Sequence, residues 1–499
     1  MPYQEKLTTP WSRRVSLRFT FTFAFSLTFF LAFSLGLASC SNILSNPHVG
    51  LTTTSDLPIS TDAPLSRQVA NSGLPPIIFV HGNGDNAAVW HTTIWRFESN
   101  GWPRALLFPI DITLPVARNE DAKPQAGRSG TDDQMQELAR YVSRVQQLTQ
   151  APKVILIGNS RGGYAIRNYV RNGGGKDSVL AVVLGGVPNH GVWSGDFNPG
   201  SEFNGAGEFL KQLNSPQGAD GSEVTQGVHF LTLRSDMNDK FAQANGQWLG
   251  QPKLATGITS EGPALKGANN AVLPLRDHRE VSFHSEAFAK AFIFLTGHAP
   301  RTITYIKEPR PILNGKILGL HEKGVSGEPS NTGFEGAKMS VYEVRADSGV
   351  RLGVPVHQQT VGADGLWGPF QARPDRYYEF VVEAPSFAIT HIYRSPFARS
   401  SHWVHFRPVR LTDADKSAQA VVMMNRPRGY FGVGRDQMSL DGQTPPPGLA
   451  PGVPGISLSR LQIGDQSVRT AIVQFNAERI AVQTWPIAEN HLVQAEFHD

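Results

Sequence analysis

The stretch "VILIGNSRGGYA", residues 154–165, limits how this chain can fold more than any other part of it. An apolar run of strand length leads into a turn in which Ser160 lies between Gly158 and Gly162, and the residues after the turn favour a helix. Apolar strands that alternate with helices form parallel sheets whose two faces are covered by those helices. The stretch therefore predicts one strand–turn–helix unit of an α/β domain.

The same alternation extends from residue 75 to about residue 297. Further strands are predicted by the apolar runs "PPIIFVHG", "RALLFPIDI", "SVLAVVLGGVP", "HFLTLRS" and "NAVLPLR". Apolar residues at helical spacing predict a helix that starts at Thr131, with Gln134 completing a capping box, and a last helix that ends at Gly297. We assign residues 75–298 to an α/β domain with a mostly parallel, doubly wound sheet.

Beyond residue 300 the helical periodicity is lost. Runs such as "AKMSVYEV" and "RYYEFVVEA" predict strands joined by Gly, Asp and Pro turns, so residues 299–409 are expected to form an all-β, sandwich-like domain. Residues 410–499 are expected to form a second β segment or domain, with "AVVMMN", "TAIVQF" and "RIAVQTW" as strands. The proline-rich piece 441–455 interrupts it as a loop.

The N-terminal residues have the pattern of an export signal. Four basic residues precede a Phe-rich apolar run that ends in small residues, which predicts a signal peptide over 1–39. The residues "LASC" (37–40) resemble the bacterial lipobox, and this resemblance implies a lipid on Cys40, the only cysteine, followed by a flexible tether to residue 74. "SRRVSLR" resembles a twin-arginine signal, so both export routes stay open. An uncleaved membrane anchor is the alternative to the lipoprotein.

A serine between two glycines after a strand and before a helix is the arrangement of a nucleophile elbow. A serine hydroxyl needs a base, and in this arrangement an acid and a histidine follow at the ends of later strands. His278 in "LPLRDHRE" is the best histidine, because it comes after the last strand, whereas His284 is expected to be a surface or capping residue. Asp277, beside the histidine, is expected to face solvent.

The acid should follow the strand "HFLTLRS". Asp239 and Asp236, both in "SDMNDKF", are the two candidates. The "NDKF" piece resembles the turn of many hydrolases in which an apolar anchor follows the acid, and this favours Asp239. Asp236 is nearer the strand end and remains the alternative.

A tetrahedral intermediate also needs two hydrogen-bond donors for its oxyanion. One is the backbone N–H of Arg161, directly after the serine, and the other is expected from the loop "HGNGD", through the N–H of Asn83. The simpler alternative is that His81 and Gly82 only shape that turn.

A long insertion over 191–226 carries aromatic residues and no predicted strand. Long loops of this kind are often mobile lids, and an aromatic lid would exclude water from a lipid substrate. The alternative is a segment that folds down as additional core.

The motifs "GNSRG", "HGNGD", "GGVPNHG" and "DHR" together resemble the secreted α/β-hydrolase lipases of prokaryotes. The resemblance covers residues 75–297, and the β region resembles that of two-domain lipases with a C-terminal β domain. Val187 and Asn189 depart from the family's loop after the fourth strand, so that loop is assigned no catalytic part. The resemblance implies an α/β-hydrolase fold and a serine carboxylester hydrolase, a lipase or esterase.

The expected reaction passes through an acyl-enzyme on Ser160 and uses no cofactor and no metal. Lipid or other hydrophobic esters are the expected substrates, and the lipid anchor would hold the enzyme at a bacterial envelope membrane. Hydrolysis of another acyl bond (polyester, thioester or amide) and a non-catalytic surface-binding protein are the alternatives. A net charge of +4 from 46 basic and 42 acidic residues gives no reason to expect a nucleic-acid partner. The oligomeric state is left open.

Overall fold

The computed structural model describes residues 72–251 and 253–499. The predicted signal peptide, Cys40 and nearly all of the tether lie outside these residues. No helix in the described part of the chain combines the length and the hydropathy needed to cross a membrane.

A six-stranded parallel sheet forms the first half of the described chain. Its spatial order is β2-β1-β3-β4-β5-β6. The strands are β1 (Ile77–Val80), β2 (Leu107–Ile110), β3 (Val154–Asn159), β4 (Val179–Gly185), β5 (His229–Ser235) and β6 (Asn269–Leu273). The helices are α1 (His91–Ser99), α2 (Thr131–Thr149), α3 (Arg161–Asn172), α4 (Gly175–Ser178), α5 (Glu208–Leu213), α6 (Glu280–Phe283) and α7 (Ser285–Thr296).

Helices cover both faces of this sheet, as predicted. Side chains alternate between the two faces of a strand, and in β1 Ile78 and Val80 pack in the core that holds α2 and α3. Ile77 and Phe79 point the other way, into the core that holds α1 and α7. In β1 to β4 the continuous apolar runs seen in the sequence are therefore strands buried on both sides.

The predicted capping box of α2 is wrong in its residues. Thr131 is already inside the helix, and its hydroxyl donates to Asp121 Oδ2 over 2.6 Å. The side chain that closes the first turn is Asp133, whose Oδ2 accepts the N–H of Gly130 at 2.7 Å. The Thr131 hydroxyl is bonded to Asp121 of the preceding loop and does not cap the helix. The backbone N–H before the helix is therefore bonded by Asp133 and not by Gln134.

The second half of the chain is all-β, as predicted. Its largest sheet has the order β11-β10-β13-β14-β20-β15-β17, beside a three-stranded sheet β16-β18-β19 and the pairs β7–β12 and β8–β9. The strands are β7 (Ile312–Lys316), β8 (Leu318–Glu322), β9 (Ser326–Gly333), β10 (Lys338–Val344), β11 (His357–Thr360), β12 (Leu366–Gln371), β13 (Tyr377–Glu383), β14 (Ile389–Arg394), β15 (Ala420–Asn425), β16 (Met438–Leu440), β17 (Leu458–Ile463), β18 (Thr470–Phe475), β19 (Glu478–Gln483) and β20 (His491–Glu496).

The segments 299–409 and 410–499 share this seven-stranded sheet, because β14 pairs in parallel with the C-terminal strand β20. They form one β structure instead of two separate ones. This β structure also packs on the α/β part: Trp95 of α1 is fully buried in the core of the β strands and donates its indole N–H to Ser400 O at 2.9 Å.

Candidate active site

The backbone at Ser160 is strained in the way a nucleophile elbow requires. Ser160 has φ 49° and ψ −124°, a conformation that side-chain-bearing residues rarely adopt. Its N–H donates to Gly185 O at 3.0 Å, and the chain then enters α3 at Arg161. The strain lifts the half-buried serine out of the end of β3.

The two glycines that flank the serine have no room for a side chain. A Cβ atom on Gly162 would lie 2.5 Å from the carbonyl oxygens of Val80 and His81, and one on Gly158 would lie 2.6 Å from Ile166 Cδ1. Gly162 therefore lets the start of α3 approach the end of β1, which is the steric reason that the sequence suggested.

His278 and Asp239 come together from two different loops. Nδ1 of His278 lies 2.9 Å from Asp239 Oδ2, and the other oxygen of that carboxylate accepts the N–H of Phe241 at 2.8 Å. The Phe241 ring, two residues after Asp239, packs edge-on against the imidazole, with 4.5 Å between centroids. Nε2 of His278 is buried and has no hydrogen-bond partner in the described chain.

Asp236 has a different set of partners. Its Oδ2 accepts the N–H of Leu275 at 2.9 Å, and its Oδ1 accepts from both nitrogens of Asn238. Burial opposes its ionisation, but these hydrogen bonds lower the pKa of Asp236 below the ordinary value. The side chain ties the loop after β5 to the loop after β6 and does not bond His278.

The expectation that Asp277 faces solvent is wrong. Its side chain is fully buried and accepts the N–H groups of Arg279, Glu280 and Tyr430 at 2.7–3.0 Å. The pKa of Asp277 is raised by burial and by the neighbouring charge of Glu280. A sequence cannot show this burial, because Tyr430 lies more than 150 residues along the chain. His284, by contrast, is the predicted capping residue, since its Nδ1 accepts the N–H of Glu286 at 3.2 Å at the start of α7.

The loop "HGNGD" lies against the serine. A Cβ atom on Gly82 would be 3.2 Å from Ser160 Cβ. Asp85 N–H bonds Gly82 O at 3.3 Å and closes a turn, while Asn83 Oδ1 accepts the N–H of Ala117 at 2.8 Å. The backbone N–H of Asn83 takes no part in closing that turn, so it stays available as a donor beside the serine.

His81 shapes this loop from inside. Its Nδ1 lies 2.9 Å from Gly82 O, and its Nε2 lies 3.1 Å from the N–H of Ile112, which makes Nδ1 the protonated nitrogen. Burial lowers the pKa of His81 and keeps the ring neutral. The second candidate donor, the N–H of Arg161, opens α3 and has no intrahelical acceptor.

The Arg161 side chain, to which the sequence assigned no role, forms a buried clamp. Its Nε and Nη2 bond both carboxylate oxygens of Glu202 at 2.5 and 2.7 Å, and both side chains are 1% exposed. The remaining donors bond Pro115 O and both oxygens of Ser129. A residue of the 191–226 insertion is thereby fixed to the first residue of α3 through a bidentate ion pair.

The insertion itself packs as core. Phe203 and Phe209 contact the ring of Tyr164 on α3 at centroid distances of 5.9 and 5.7 Å, and Leu210 is fully buried. Phe197, at 39% exposed, is the apolar exception. The structure thus places 191–226 as additional core over α3, which was the alternative to the predicted lid.

Residues of the β structure contact both loops that carry the site. Arg279, directly after His278, donates to Asp85 Oδ1 at 2.7 Å and to Pro427 O. Lys240, directly after Asp239, donates to Gly455 O at 2.9 Å and lies 4.2 Å from the centre of the Tyr430 ring. Burial, helped by the charge of Arg279, lowers the pKa of Lys240 to about 8. Nothing in the local sequence indicated these contacts.

Two family models match the chain. Residues 75–192 match lipase (class 2), and residues 313–411 match the lipase C-terminal domain. The chain is an ester-hydrolysing enzyme with one segment similar to class 2 lipases and another similar to lipase C-terminal domains. Within the described residues, no group of His, Cys, Asp and Glu side chains is arranged to hold a metal ion.

The enzyme also resembles several solved structures. Lipase B of Aspergillus fumigatus is 16% identical, with a TM-score of 0.34, over 50% of this chain and 57% of that one. The mature lipase BlEst2 of Bacillus licheniformis is 19% identical, with a TM-score of 0.31, over 44% of this chain and 90% of that one. Carboxylesterase CesB of Bacillus subtilis is 15% identical, with a TM-score of 0.25, over 45% of this chain and 84% of that one. Similarities this low say nothing about the substrate of this enzyme.

Proposed function

We propose that this enzyme is a serine carboxylester hydrolase in which Ser160, His278 and Asp239 form the catalytic triad. The observation that carries the proposal is the orientation of the His278 ring. Its Nδ1 bonds Asp239 at 2.9 Å, while its buried Nε2 is left without a partner and can take a proton. A buried polar atom without a partner costs free energy, and such atoms persist where they serve chemistry.

The reaction then follows from these positions. Nε2 of His278 accepts the proton of the Ser160 hydroxyl as Oγ attacks the ester carbonyl, and Asp239 stabilises the imidazolium that results. The N–H groups of Asn83 and Arg161 bond the oxyanion of the tetrahedral intermediate. The C–O bond to the alcohol breaks, and the alcohol leaves with the proton from His278. Water then attacks the acyl-enzyme while His278 takes its proton, the C–O bond to Ser160 breaks, and Oγ recovers the proton from His278 as the acid leaves.

The direct test of the nucleophile is covalent labelling. A fluorophosphonate probe should label the wild-type enzyme and should not label Ser160→Ala, because only the activated serine attacks phosphorus. Equal labelling of both proteins would refute the assignment. Thermal unfolding of both proteins serves as the control for folding.

The two aspartates provide a matched pair for testing the acid. Asp239→Asn should lower kcat on a p-nitrophenyl ester by about 10,000-fold, because the imidazole loses the carboxylate that fixes its tautomer. Asp236→Asn removes the same charge three residues away and should leave kcat within about tenfold, since Asp236 bonds the backbone of Leu275 instead of the histidine. The opposite order of the two effects would make Asp236 the acid.

We further propose lipid or other hydrophobic esters as substrates and an anchor at Cys40. The substrate proposal is supported by the lipase family models and is tested by a series of p-nitrophenyl esters from acetate to palmitate. The anchor proposal is supported by the "LASC" sequence alone. In a bacterial host, Cys40→Ser should move the enzyme from the membrane fraction to the soluble fraction, and continued retention would refute the lipid anchor.

A further inference from the structure

A cavity of about 470 Å³ lies between the loop after Asn83 and the β structure. This volume is within the range of small-molecule binding sites. One wall is formed by residues 84–86 and the turn that follows them, and the opposite wall comes from β14, β20 and the segment 405–410. The cavity is separate from the His278–Asp239 pair, neither of which lines it.

Positive charge dominates the walls. The cavity is lined by four arginines, Arg394, Arg407, Arg410 and Arg428, and by only two acidic residues, Asp85 and Glu496. Both acidic residues are already bound by an arginine. Asp85 is bound by Arg279 at 2.7 Å, and Glu496 is bound by Arg394 at 2.7 Å. The cavity therefore carries an excess of cationic groups.

Two of these arginines are buried or half-buried without a carboxylate partner among the described residues. Arg407 donates to Ser330 O and Asn331 Oδ1 at 3.0 and 3.1 Å, both neutral acceptors. Arg428 is 3% exposed and donates to the carbonyls of Phe497 and His498 at 2.5 Å. Burial lowers the pKa of each to about 10, as expected for a guanidinium removed from water with no carboxylate bonded to it.

Arg394 provides further hydrogen-bond donors that lack a partner among the described residues. Its side chain is 3% exposed and lies over the Phe406 ring at 4.6 Å. Nη2 bonds Glu496, but Nε and Nη1 are buried and have no partner in the described chain. A guanidinium fork suits a planar anion, because two parallel N–H groups bond both oxygens of a carboxylate.

The remaining wall is apolar. Leu320, Phe387, Ile392, Phe406 and Val409 line the cavity between the arginines. Arg410 is exposed and stacks its guanidinium 3.9 Å from the centre of the Phe387 ring, so a charged group borders an apolar one at the rim. A ligand that fits this surface has an anionic head and an apolar body.

We propose that this cavity is a second binding site, distinct from the triad, for an amphiphilic carboxylate such as a medium-chain fatty acid. The arginines bond the carboxylate head, and the Phe387–Val409 wall covers the alkyl chain. Such an acid is also the product class of the proposed hydrolysis. That identification as product rests on the proposed function, whereas the binding site itself does not.

The test is isothermal titration of decanoate, below its critical micelle concentration, into the full chain after fluorophosphonate treatment. The phosphonyl group fills the acyl site at Ser160, so saturable binding reports the second site. If the probe does not react, the triad proposal fails, and the titration is carried out on the untreated protein. Decanol and acetate, which each lack one half of the ligand, should bind at least about tenfold more weakly than decanoate.

Substitutions of the lining arginines test whether decanoate binds in this cavity. Arg407→Gln should weaken decanoate binding at least about tenfold, and Arg410→Gln, at an exposed position that tolerates substitution, should also weaken it. Arg345→Gln removes an equivalent charge from a surface pair with Asp347 and should leave binding unchanged. No saturable binding, equal binding of decanol, or equal affinity in Arg410→Gln and Arg345→Gln would overturn the proposal. If Arg407→Gln does not fold, Arg410→Gln decides the question.

Discussion

Arg426 holds the loop of His278 to the β structure, and replacing it with glutamine should destabilise the whole enzyme. Its guanidinium, 4% exposed, bonds Glu280 Oε1 at 2.6 Å, Tyr430 O at 2.6 Å and Asp277 Oδ2 at 3.3 Å. Burial opposes the charge of Glu280, but Arg426 and then Arg435 lower the pKa of Glu280 to about 2. Arg426 thus brings positive charge to two buried acids that lie on either side of His278 in the chain.

The loss of unfolding free energy in Arg426→Gln depends on the buried carboxylate charges that remain without their arginine. Removing one partner of a buried ion pair costs about 3–5 kcal/mol, because a buried charge stays uncompensated. Arg435 still bonds Glu280 Oε2 at 2.9 Å, so the expected loss for Arg426→Gln is at the lower end, about 3 kcal/mol. Arg345→Gln, which breaks an exposed pair with Asp347, should cost less than about 1 kcal/mol.

Urea denaturation measures both losses. Unfolding is followed by tryptophan fluorescence and by esterase activity, which should be lost at the same urea concentration because the ion pairs join the two parts of the chain. The double variant Arg426→Gln/Glu280→Gln removes one stranded charge and should recover at least about 1 kcal/mol relative to the sum of the single variants. A loss below about 1 kcal/mol for Arg426→Gln, or no recovery in the double variant, would refute the reasoning.

Three further predictions test other parts of the structure. Gly162→Ala should abolish folding or activity, because the new methyl carbon would lie 2.5 Å from two carbonyl oxygens of β1 and the residue after it; a thermal midpoint and kcat like those of wild type would contradict this. Arg161→Gln keeps the backbone N–H but breaks the clamp on Glu202, so limited proteolysis within 191–226 should be faster; an unchanged cleavage pattern would mean that other contacts hold the insertion. Burial lowers the pKa values of His284 and His402 to about 4 and of His498 to about 3, so the unfolded chain binds more protons below the usual histidine pKa. Stability should therefore fall as the pH is lowered from about 6.5 towards 4, and a urea midpoint that rises on acidification would contradict the assignment.

Short-range patterns in the sequence predicted the α/β part well. The strands β1 to β4 coincide with apolar runs, because a strand buried on both faces needs apolar residues throughout, whereas the edge strand β6 is short and largely exposed. The turn at Ser160 was equally readable, since the crowding that requires Gly158 and Gly162 arises wherever a strand passes directly into a helix against the neighbouring strand. The order Ser160, Asp239 and His278 along the chain is the order that this topology gives to the proposed triad.

Strands with weaker patterns were missed. β9, "SGEPSNTG", is polar, and its pairing with β8 is irregular, so no alternation of apolar residues indicated it. β20 lies inside the seven-stranded sheet, where it pairs in parallel with β14 on one side and β15 on the other. A sequence can show that a segment is extended, but the pairing of a strand with partners 70 to 100 residues away is decided by the packing of the whole β structure.

By itself, the sequence determined the strand–turn–helix at Ser160, the parallel sheet, and a choice between two aspartates. Only the tertiary structure brought Asp239 to 2.9 Å from His278 and directed Asp236 to the backbone of Leu275. Only it showed that Asp277 is buried on Arg426, about 150 residues away. The reason is physical: local backbone conformation depends on near neighbours in the chain, whereas burial and charge pairing depend on side chains that meet only when the chain has folded.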